Sequence, residues 1–184
     1  METGLAVSEA SREFIGVVRS MVQEALDILP EKIGLGTPGT QENLELVIFL
    51  YDIRRNWAMQ SPLMQREDVE LLRCPSVYYD LCYMLVPCSK GDEKYRITEE
   101  IRMLDVLLQG LTDRIYLYED LKEIEVELLE PDIEDKIKIW NGINQPFRTA
   151  LYVRLSPVEI FSGRTKRIKR VTDMQMKYDE DGEK

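Results

Sequence analysis

Near its start, the chain repeats hydrophobic residues at helical spacing. Between Ser8 and Leu29 they recur every three or four positions, at Phe14, Val18, Met21, Val22, Ala25 and Ile28. This period predicts a long amphipathic helix that buries one face against a core. Ser8 is the expected N-cap, because its hydroxyl can accept a hydrogen bond from the first turn, and Pro30 is expected to end the helix.

Two later segments are apolar at almost every position. They read LELVIFLYDI (Leu44 to Ile53) and SVYYDLCYMLVP (Ser76 to Pro87). Such runs predict strands that are covered on both faces, and Pro87 is expected to end the second strand. The segment between them, from Asn56 to Cys74, has no clear period and is predicted to be a long connection.

The next part of the chain combines a second helix with an alternating strand. Thr98 is the expected N-cap of this helix, whose predicted apolar stripe is Ile101, Leu104, Leu107, Leu108 and Leu111. In IEVELLE (Ile124 to Glu130), apolar and acidic residues alternate. Because the side chains of a strand point alternately to its two faces, one face of this strand should be exposed to water.

A third, shorter helix is predicted over residues 132–140. Its apolar face contains Ile133, Ile137 and Trp140. On its flank, Glu134 and Lys138 are four residues apart and are expected to form an ion pair. Gly142 suits the C-cap of this helix, since glycine adopts the left-handed conformation at little cost.

The last predicted strand is TALYVRLSPVEIF (Thr149 to Phe161), which Pro157 is expected to bend or to place at a sheet edge. The element order is then helix, strand, strand, helix, strand, helix, strand. This order predicts an α+β fold in a single domain, residues 1–162, with one mixed β-sheet packed against the long N-terminal helix and two further helices. Residues 163–184 are expected to form a C-terminal tail, as an extended arm or an added strand.

The composition supports one globular domain and limits its partners. The chain has 184 residues, 44% of them hydrophobic, and a net charge of −10. A core of useful size is therefore possible, whereas nucleic acid and anionic membranes are disfavoured, because binding them needs a basic surface. No apolar run approaches the roughly 20 residues of a membrane span, and the N-terminus lacks the features of a signal peptide. A cytoplasmic protein is expected.

The residue types present exclude several kinds of catalytic site. The chain has no histidine, which rules out histidine-containing zinc sites, Ser-His and Cys-His nucleophile pairs, and histidine general bases. Cys74, Cys82 and Cys88 contain no CxxC pair and are expected to be free thiols. GLGTPG (Gly34 to Gly39) has the spelling of a dinucleotide-binding loop, but it lacks the preceding strand and the following helix that such a loop needs. No cofactor is predicted.

One catalytic alternative stays open. Asp52 and Asp80 lie inside the two most apolar segments and would approach each other if those strands pair. Two carboxylates can share a metal ion or divide the roles of acid and base, as in a metal-dependent hydrolase. The structural alternative is that each aspartate binds backbone donors or a neighbouring arginine or lysine.

The C-terminal tail changes from basic to acidic along its length. The basic residues of its first part are Arg164, Lys166, Arg167, Lys169 and Arg170. This run is interpreted as a contact for an acidic patch on another protein, with a solvated connection between strands as the alternative. In its second part Met174, Met176 and Tyr178 alternate, which predicts either a strand added to a neighbouring subunit or a C-terminal hairpin.

The segment IWNGINQPFRTALYVRLSPVEI (Ile139 to Ile160) resembles the closing signature of a known family, the tail-terminator, or cap, proteins of extracellular contractile injection systems. In that family, a helix ending in Trp meets a polar turn, an aromatic residue, an arginine and a long strand that runs into a Ser-Pro-Val bend. LVIFLYDIRRNWAMQS (Leu46 to Ser61) is similar to the family's strand that ends in a charged residue and an asparagine, here Asn56. PSVYYDLCYMLVP and EEIRMLDVLLQGL are similar to the strand and helix that follow.

The resemblance covers about residues 10–161 and concerns the family's N-terminal domain. It implies a structural protein without a cofactor, which forms a six-membered ring on the last layer of the inner tube and sheath and binds both of those proteins. Ring closure needs a heterologous interface, in which two different surfaces of each copy meet. Asn56, Arg148 and Arg154 are the implied interface residues of the domain, and the two arginines are expected to form ion pairs within or between subunits. Trp140 is expected to pack its helix against the sheet.

Three other interpretations are compatible with the sequence. A neck or adaptor protein of a phage-like tail would have the same size and no catalytic site. A metal-dependent hydrolase would use Asp52 and Asp80, as described above. A soluble binding module unrelated to injection machines would also fit the composition.

Overall fold

The computed structural model of the protein describes residues 6–40, 43–59, 63–68, 71–90, 92–113, 116–119 and 122–168. Within these residues the chain forms three α-helices, α1 (Ala6–Leu26), α2 (Glu93–Asp113) and α3 (Ile133–Gly142), and one short 3-10 helix (Pro30–Lys32). The strands are β1 (Ile33–Leu35), β2 (Leu46–Arg55), β3 (Gln65–Asp68), β4 (Leu71–Arg73), β5 (Val77–Pro87), β6 (Tyr116–Glu119), β7 (Lys122–Leu129), β8 (Leu151–Ile160) and β9 (Thr165–Arg167).

Six strands form the main sheet, in the order β1-β2-β5-β8-β7-β6. β1 pairs with β2 in parallel, whereas all other neighbours are antiparallel, so the sheet is mixed. The predicted α+β fold with one mixed main sheet is therefore confirmed. None of the helices in the described part of the chain is long and apolar enough to cross a membrane.

The other three strands form a small sheet, in the order β3-β4-β9. This small sheet continues the β5–β8 ladder past the end of the main sheet. The N–H of Cys74 donates to the carbonyl of Arg164 at 2.9 Å, and Arg73 then pairs with Thr165. The end of the main sheet at which β5 begins therefore carries β3, β4, β9 and the loop between β2 and β3.

The main core lies between the sheet and the helices α1 and α2. α1 contributes Phe14, Val18 and Val22, which are fully buried, and each such side chain stabilises the fold by about 1.5–3 kcal/mol. Tyr83 of β5 packs its ring 5.1 Å from that of Phe14, and its hydroxyl shares a 2.6 Å hydrogen bond with Ser11. The buried phenol is therefore satisfied, as a buried polar group must be.

The opposite face of the sheet carries a second, smaller core under α3. Trp140 packs there with Val47, Met84, Val86 and Tyr152. β2 is accordingly buried on both faces only in its first half, at Leu46, Val47 and Ile48. Its second half carries Asp52 and Arg54, which line a pocket together with Asp135 and Lys138 of α3.

The predicted ends of the first helix are wrong. α1 begins at Ala6, so Ser8 lies inside the helix and is not its N-cap. The helix ends at Leu26 rather than Leu29, because Asp27 adopts a positive φ of 54°, which stops the helical hydrogen bonding before Pro30 is reached.

The predicted cap of the second helix is wrong, and its predicted apolar stripe is right only at Leu107 and Leu111. α2 begins five residues before Thr98, whose hydroxyl instead donates to the carbonyl of Lys94. Its buried residues are Met103, Leu107 and Leu111, whereas Ile101 and Leu108 are exposed. The helix is turned toward α1, where Gly110 faces the side chain of Met21 so closely that a Cβ would lie 2.7 Å from its sulfur.

In α3, the predicted apolar face is buried only at Trp140. Ile133 and Ile137 are exposed, because the sheet lies under the C-terminal half of the helix. Lys138 pairs with Asp135 at 2.8 Å, and the predicted partner Glu134 is not used. The cap also differs: Gly142 is the last helical residue, and Asn144 supplies the positive φ, 53°, that turns the chain.

The strand predictions hold for the long strands. β5 and β7 lie where predicted, and Ile124 and Val126 are buried while Glu125 is exposed. The connection over residues 56–74 contains β3 and β4, which were not predicted, and neither were β1 and β6. Pro157 lies at a register shift between β5 and β8, just after the last β8 residue that pairs with β7, so the expected bend is a β-bulge in an otherwise internal strand.

Candidate functional site

Asn56 stands at the end of β2, where its side-chain amide joins three segments. Its Nδ2 donates to Asp80 Oδ1 at 2.9 Å and to Ser156 Oγ at 3.2 Å. Its Oδ1 accepts from the N–H groups of Ala58 and Met59, at 3.1 and 3.3 Å. Asparagine is suited to this position because its amide both donates and accepts, and it therefore fastens the start of the β2–β3 loop to β5 and β8.

Arg154 lies between two carboxylates on the same outer face. β8 places it opposite Cys82 of β5 and Glu127 of β7. Its Nη2 pairs with Glu127 Oε2, and its Nη1 lies 4.0 Å from Asp80 Oδ2. Ser156 Oγ donates to the other oxygen of Asp80 at 2.6 Å. The arginine thus joins three strands within the chain, and 39% of its side chain stays exposed.

The two strand aspartates have separate partners. Asp52 accepts from Arg54 Nε at 2.6 Å, and this carboxylate raises the pKa of the guanidinium. Asp80 is held by Asn56 and Ser156, as described above. No group of three or more potential metal ligands occurs in the part of the chain that the structure describes. The geometry gives no support to a hydrolase built on these aspartates.

The turn after α3 is organised around Trp140. Its indole is 1% exposed, and its carbonyl accepts from the N–H of Gln145 at 3.1 Å. Phe147 packs against the indole edge-on, with ring centroids 6.3 Å apart. Burial raises the pKa of Tyr152 below it, against a smaller opposing effect of the indole N–H. Trp140 therefore packs the helix onto the sheet, as expected, and is no surface residue.

The glycine-rich loop contacts this turn rather than a phosphate. Gly39 has a positive φ of 83°, which glycine adopts without strain, and a Cβ at this position would lie 2.2 Å from Gln145 Oε1. The loop leads into the strand β2 and not into a helix. A helix N-terminus for a pyrophosphate is thus missing from this loop, and its glycine is explained by close packing.

Arg148 joins the same turn to α2. Its Nη2 lies 2.6 Å from Glu100 Oε1, and its Nη1 lies 3.7 Å from Cys88 Sγ. Burial raises the pKa of the Cys88 thiol, while the nearby arginine lowers it. The ion pair is partly buried, so Arg148 acts first as an internal link between α2 and the strand β8. All three cysteines are free, as predicted.

The remaining predicted interface residues lie in different parts of the chain. Arg164, Lys166 and Arg167 lie on or beside β9, where they are exposed on the small sheet. Five further candidates lie outside the described residues: Lys169, Arg170, Met174, Met176 and Tyr178. The structure thus brings Asn56 and Arg154 together, with the basic strand at the same end of the molecule, and leaves Arg148 at the other.

The sequence interpretation missed an exposed apolar surface in the β2–β3 loop. This loop surface consists of Trp57, Met59, Leu63 and Met64, of which Trp57 is 67% exposed. The guanidinium of Arg55 lies over the Trp57 ring, 3.9 Å from its centroid. The signal was present as the segment NWAMQSPLM, whose apolar residues follow neither a helical nor a strand period and so have no place in a core.

Comparisons with known proteins give matches in fold and in family, but none among curated proteins. No curated protein matches the chain in sequence. The chain is similar in fold to two solved structures. One is the sheath/tube terminator of the extracellular contractile injection system PVC in its extended state. The other is the tube-terminating cap of the anti-feeding prophage. The TM-score is 0.65 for both, at 16% and 18% identity, over 93% and 92% of this chain. The chain spans 64% and 60% of those proteins' lengths.

A family model, described as the Pvc16 N-terminal domain, matches residues 17–173. This match covers most of the chain, including α2, α3, the main sheet and the small sheet. It extends past the segments that first suggested a tail terminator and includes the basic strand β9. The chain therefore belongs to the Pvc16 N-terminal domain family.

Proposed function

We propose that the chain is a structural cap of a contractile injection system, which ends the inner tube and holds the sheath to it. The observation that carries this proposal is the family match over residues 17–173, together with the shared fold of two proteins named as a sheath/tube terminator and a tube-terminating cap. The partners are the tube protein, the sheath protein and further copies of the chain, six in a closed ring. Assembly takes place in the cytoplasm, and the protein then becomes part of the particle.

The polar side chains of the outer face support a structural role. Asn56, Asp80, Ser156 and Arg154 are used to hold strands and a loop in place, and none of them is left as an obvious acid, base or nucleophile. A binding surface of this kind needs rigid elements that present exposed groups at fixed positions. The exposed fraction of Arg154 and the loop that Asn56 fastens are the proposed contact points.

The test is the length of tube and sheath assemblies, imaged by electron microscopy in cells that carry or lack the gene. Loss of a terminator should broaden the length distribution and leave bare tubes or detached sheaths, and the intact gene should restore uniform particles. Particles of unchanged length in the deletion strain would rule out the cap and favour a binding module of another system.

A neck or adaptor role would give a different result in the same experiment. Particles would then fail at a joint, with free tubes and other parts present but not connected, and their lengths would stay uniform. The two outcomes separate the proposals without any assumption about the contact residues.

A further inference from the structure

The small sheet ends at an open strand edge. Within the described residues its order is β3-β4-β9, so β9 has a neighbouring strand on one side only. All three residues of β9 are exposed. An edge of this kind can pair with any other extended segment, and natural proteins therefore cover it or place charges along it.

The pairing with β4 determines which main-chain groups of β9 face the open side. The N–H of Cys74 donates to the carbonyl of Arg164, and the antiparallel ladder continues in register along β9. In such a ladder, the main-chain groups of successive residues point alternately toward the partner strand and away from it. Those of Lys166 therefore point toward β4, whereas the N–H and C=O groups of Thr165 and Arg167 face the open side.

The side chains along this edge are basic. Arg164, Lys166 and Arg167 lie on or beside β9 and are exposed. The acidic residues of the small sheet, Glu67 and Asp68, belong to β3 at the opposite edge. Two strand spacings separate β3 from β9, about 10 Å. An acidic segment is therefore favoured over a basic one beside β9.

The chain continues past β9 with a segment that fits such an edge. Residues 172–178 alternate apolar and polar side chains, Met174, Met176 and Tyr178 against Asp173, Gln175 and Lys177. A period of two is typical of a strand with one covered face. The acidic stretch DEDGE follows directly. This part of the chain thus combines a strand pattern with the charge that the edge favours.

A hairpin within the same chain would bring this segment to β9. A loop over residues 168–171 would turn the chain back antiparallel to β9, and loops of four residues are common in hairpins. The strand pairs would then be Arg167 with Thr172 and Thr165 with Met174. Both pairs use a residue of β9 whose main-chain groups face the open side.

The same register also matches side chains across the pair. It sets Asp173 directly opposite Lys166, as a cross-strand pair of opposite charge. The short loop tethers the segment to its acceptor. The resulting high local concentration favours pairing within the chain over pairing with a second copy.

We propose that residues 172–178 form a strand that pairs with the open edge of β9 in the same chain, in the register that joins Lys166 to Asp173. The basic strand then meets an acidic segment of its own chain instead of an acidic patch on another protein. The pairing also closes an edge that other chains could use. It goes beyond the cap function and does not depend on it.

Two proline substitutions test the pairing, and one is the matched control of the other. In the proposed register the N–H of Met174 donates to β9, whereas the N–H of Gln175 faces away, and proline removes either donor. Amide hydrogen exchange of the full chain is measured by NMR. Met174→Pro should speed exchange at Thr165 and Arg167 at least about tenfold, whereas Gln175→Pro should change it less than about twofold. The amide of Lys166 points toward β4 and should keep its exchange rate in both variants.

Three results would overturn the proposal. Exchange at Thr165 and Arg167 that is equally fast in the wild type and in Met174→Pro would mean that the segment does not cover this edge. Equal effects of the two prolines would exclude the proposed register. Protection that falls when the chain is diluted about twentyfold would assign the paired segment to a second copy.

Reversing the charges gives an independent readout. Lys166→Asp and Asp173→Lys should each speed exchange at Arg167 about two- to fivefold, because each sets like charges opposite each other. The double variant should restore the wild-type rate. Effects of the two single substitutions that add in the double variant would contradict the pair. These exchange rates decide the hairpin, whereas the lengths of particles in the deletion strain decide the cap function, so either can fail without the other.

Discussion

Replacing Trp140 by alanine tests the main structural conclusion about the turn after α3. The indole is 1% exposed and packs with Val47, Met84, Val86 and Tyr152 in the smaller core. Removing a buried Trp side chain costs the transfer free energy of its atoms and leaves a cavity, about 3–5 kcal/mol in total. A domain of this size has a stability of roughly 5–15 kcal/mol, so the variant should be folded but markedly weakened.

The protein supplies its own matched control, because its only other tryptophan is exposed. Trp57→Ala removes the same atoms from the loop surface and should change the free energy of unfolding by less than about 1 kcal/mol, provided the chain is monomeric in the assay. Urea unfolding followed by circular dichroism measures both variants without depending on tryptophan fluorescence. Equal effects of the two substitutions, or a loss below about 1 kcal/mol for Trp140→Ala, would refute the burial of Trp140.

Three further predictions follow from the polar contacts. Asn56→Ala should lower the free energy of unfolding by about 1.5–3 kcal/mol, because it loses a hydrogen bond to a carboxylate, and should speed proteolysis of the β2–β3 loop. Arg148→Ala should lower the free energy of unfolding by about 1–3 kcal/mol, because it leaves Glu100 half-buried without its partner. Lys138→Ala breaks an exposed ion pair and should lower it by less than about 0.5 kcal/mol in the same assay. Burial raises the pKa of Tyr51 to about 12, so the phenol loses its proton at a lower pH in the unfolded chain than in the folded one. The free energy of unfolding should therefore fall as the pH rises from about 10 to 12, and Tyr51→Phe should reduce this pH dependence.

The long strands could be predicted because their patterns are set by burial alone. β5 is apolar throughout since it lies in the middle of the sheet, under α1 on one face and partly under α3 on the other. β7 alternates because only one of its faces is covered. In contrast, β1, β4 and β9 have three residues each, and such strands exist only through their partners elsewhere in the chain. No local pattern encodes that pairing.

The face of α2 shows a different limit of sequence reasoning. The helix has apolar residues on more than one side, and periodicity alone selected a stripe that includes Ile101 and Leu108. The fold buries Leu107 and Leu111 of that stripe and adds Met103, because Gly110 lets α1 approach closely. Ile101 and Leu108 are left exposed, so periodicity found the apolar residues of the helix but not the face that the core covers.

Part of the candidate site was visible in the sequence and part was not. Asn56 and Arg154 were named from the resemblance, and their pairing with Asp80 depends on a register of three strands that no single segment reveals. Trp57 carried no motif and became notable only when its exposure was known. Surfaces that bind other proteins are defined by what the core leaves exposed, which is a property of the whole fold.

The most direct test of the central claim is the position of the protein in an intact particle. Cryo-electron microscopy of particles that carry the full-length protein with a small fused domain should show extra density in a ring on the last layer of the tube and sheath, at one end only. Extra density along the length of the tube, at an internal joint, or nowhere on the particle would contradict a cap.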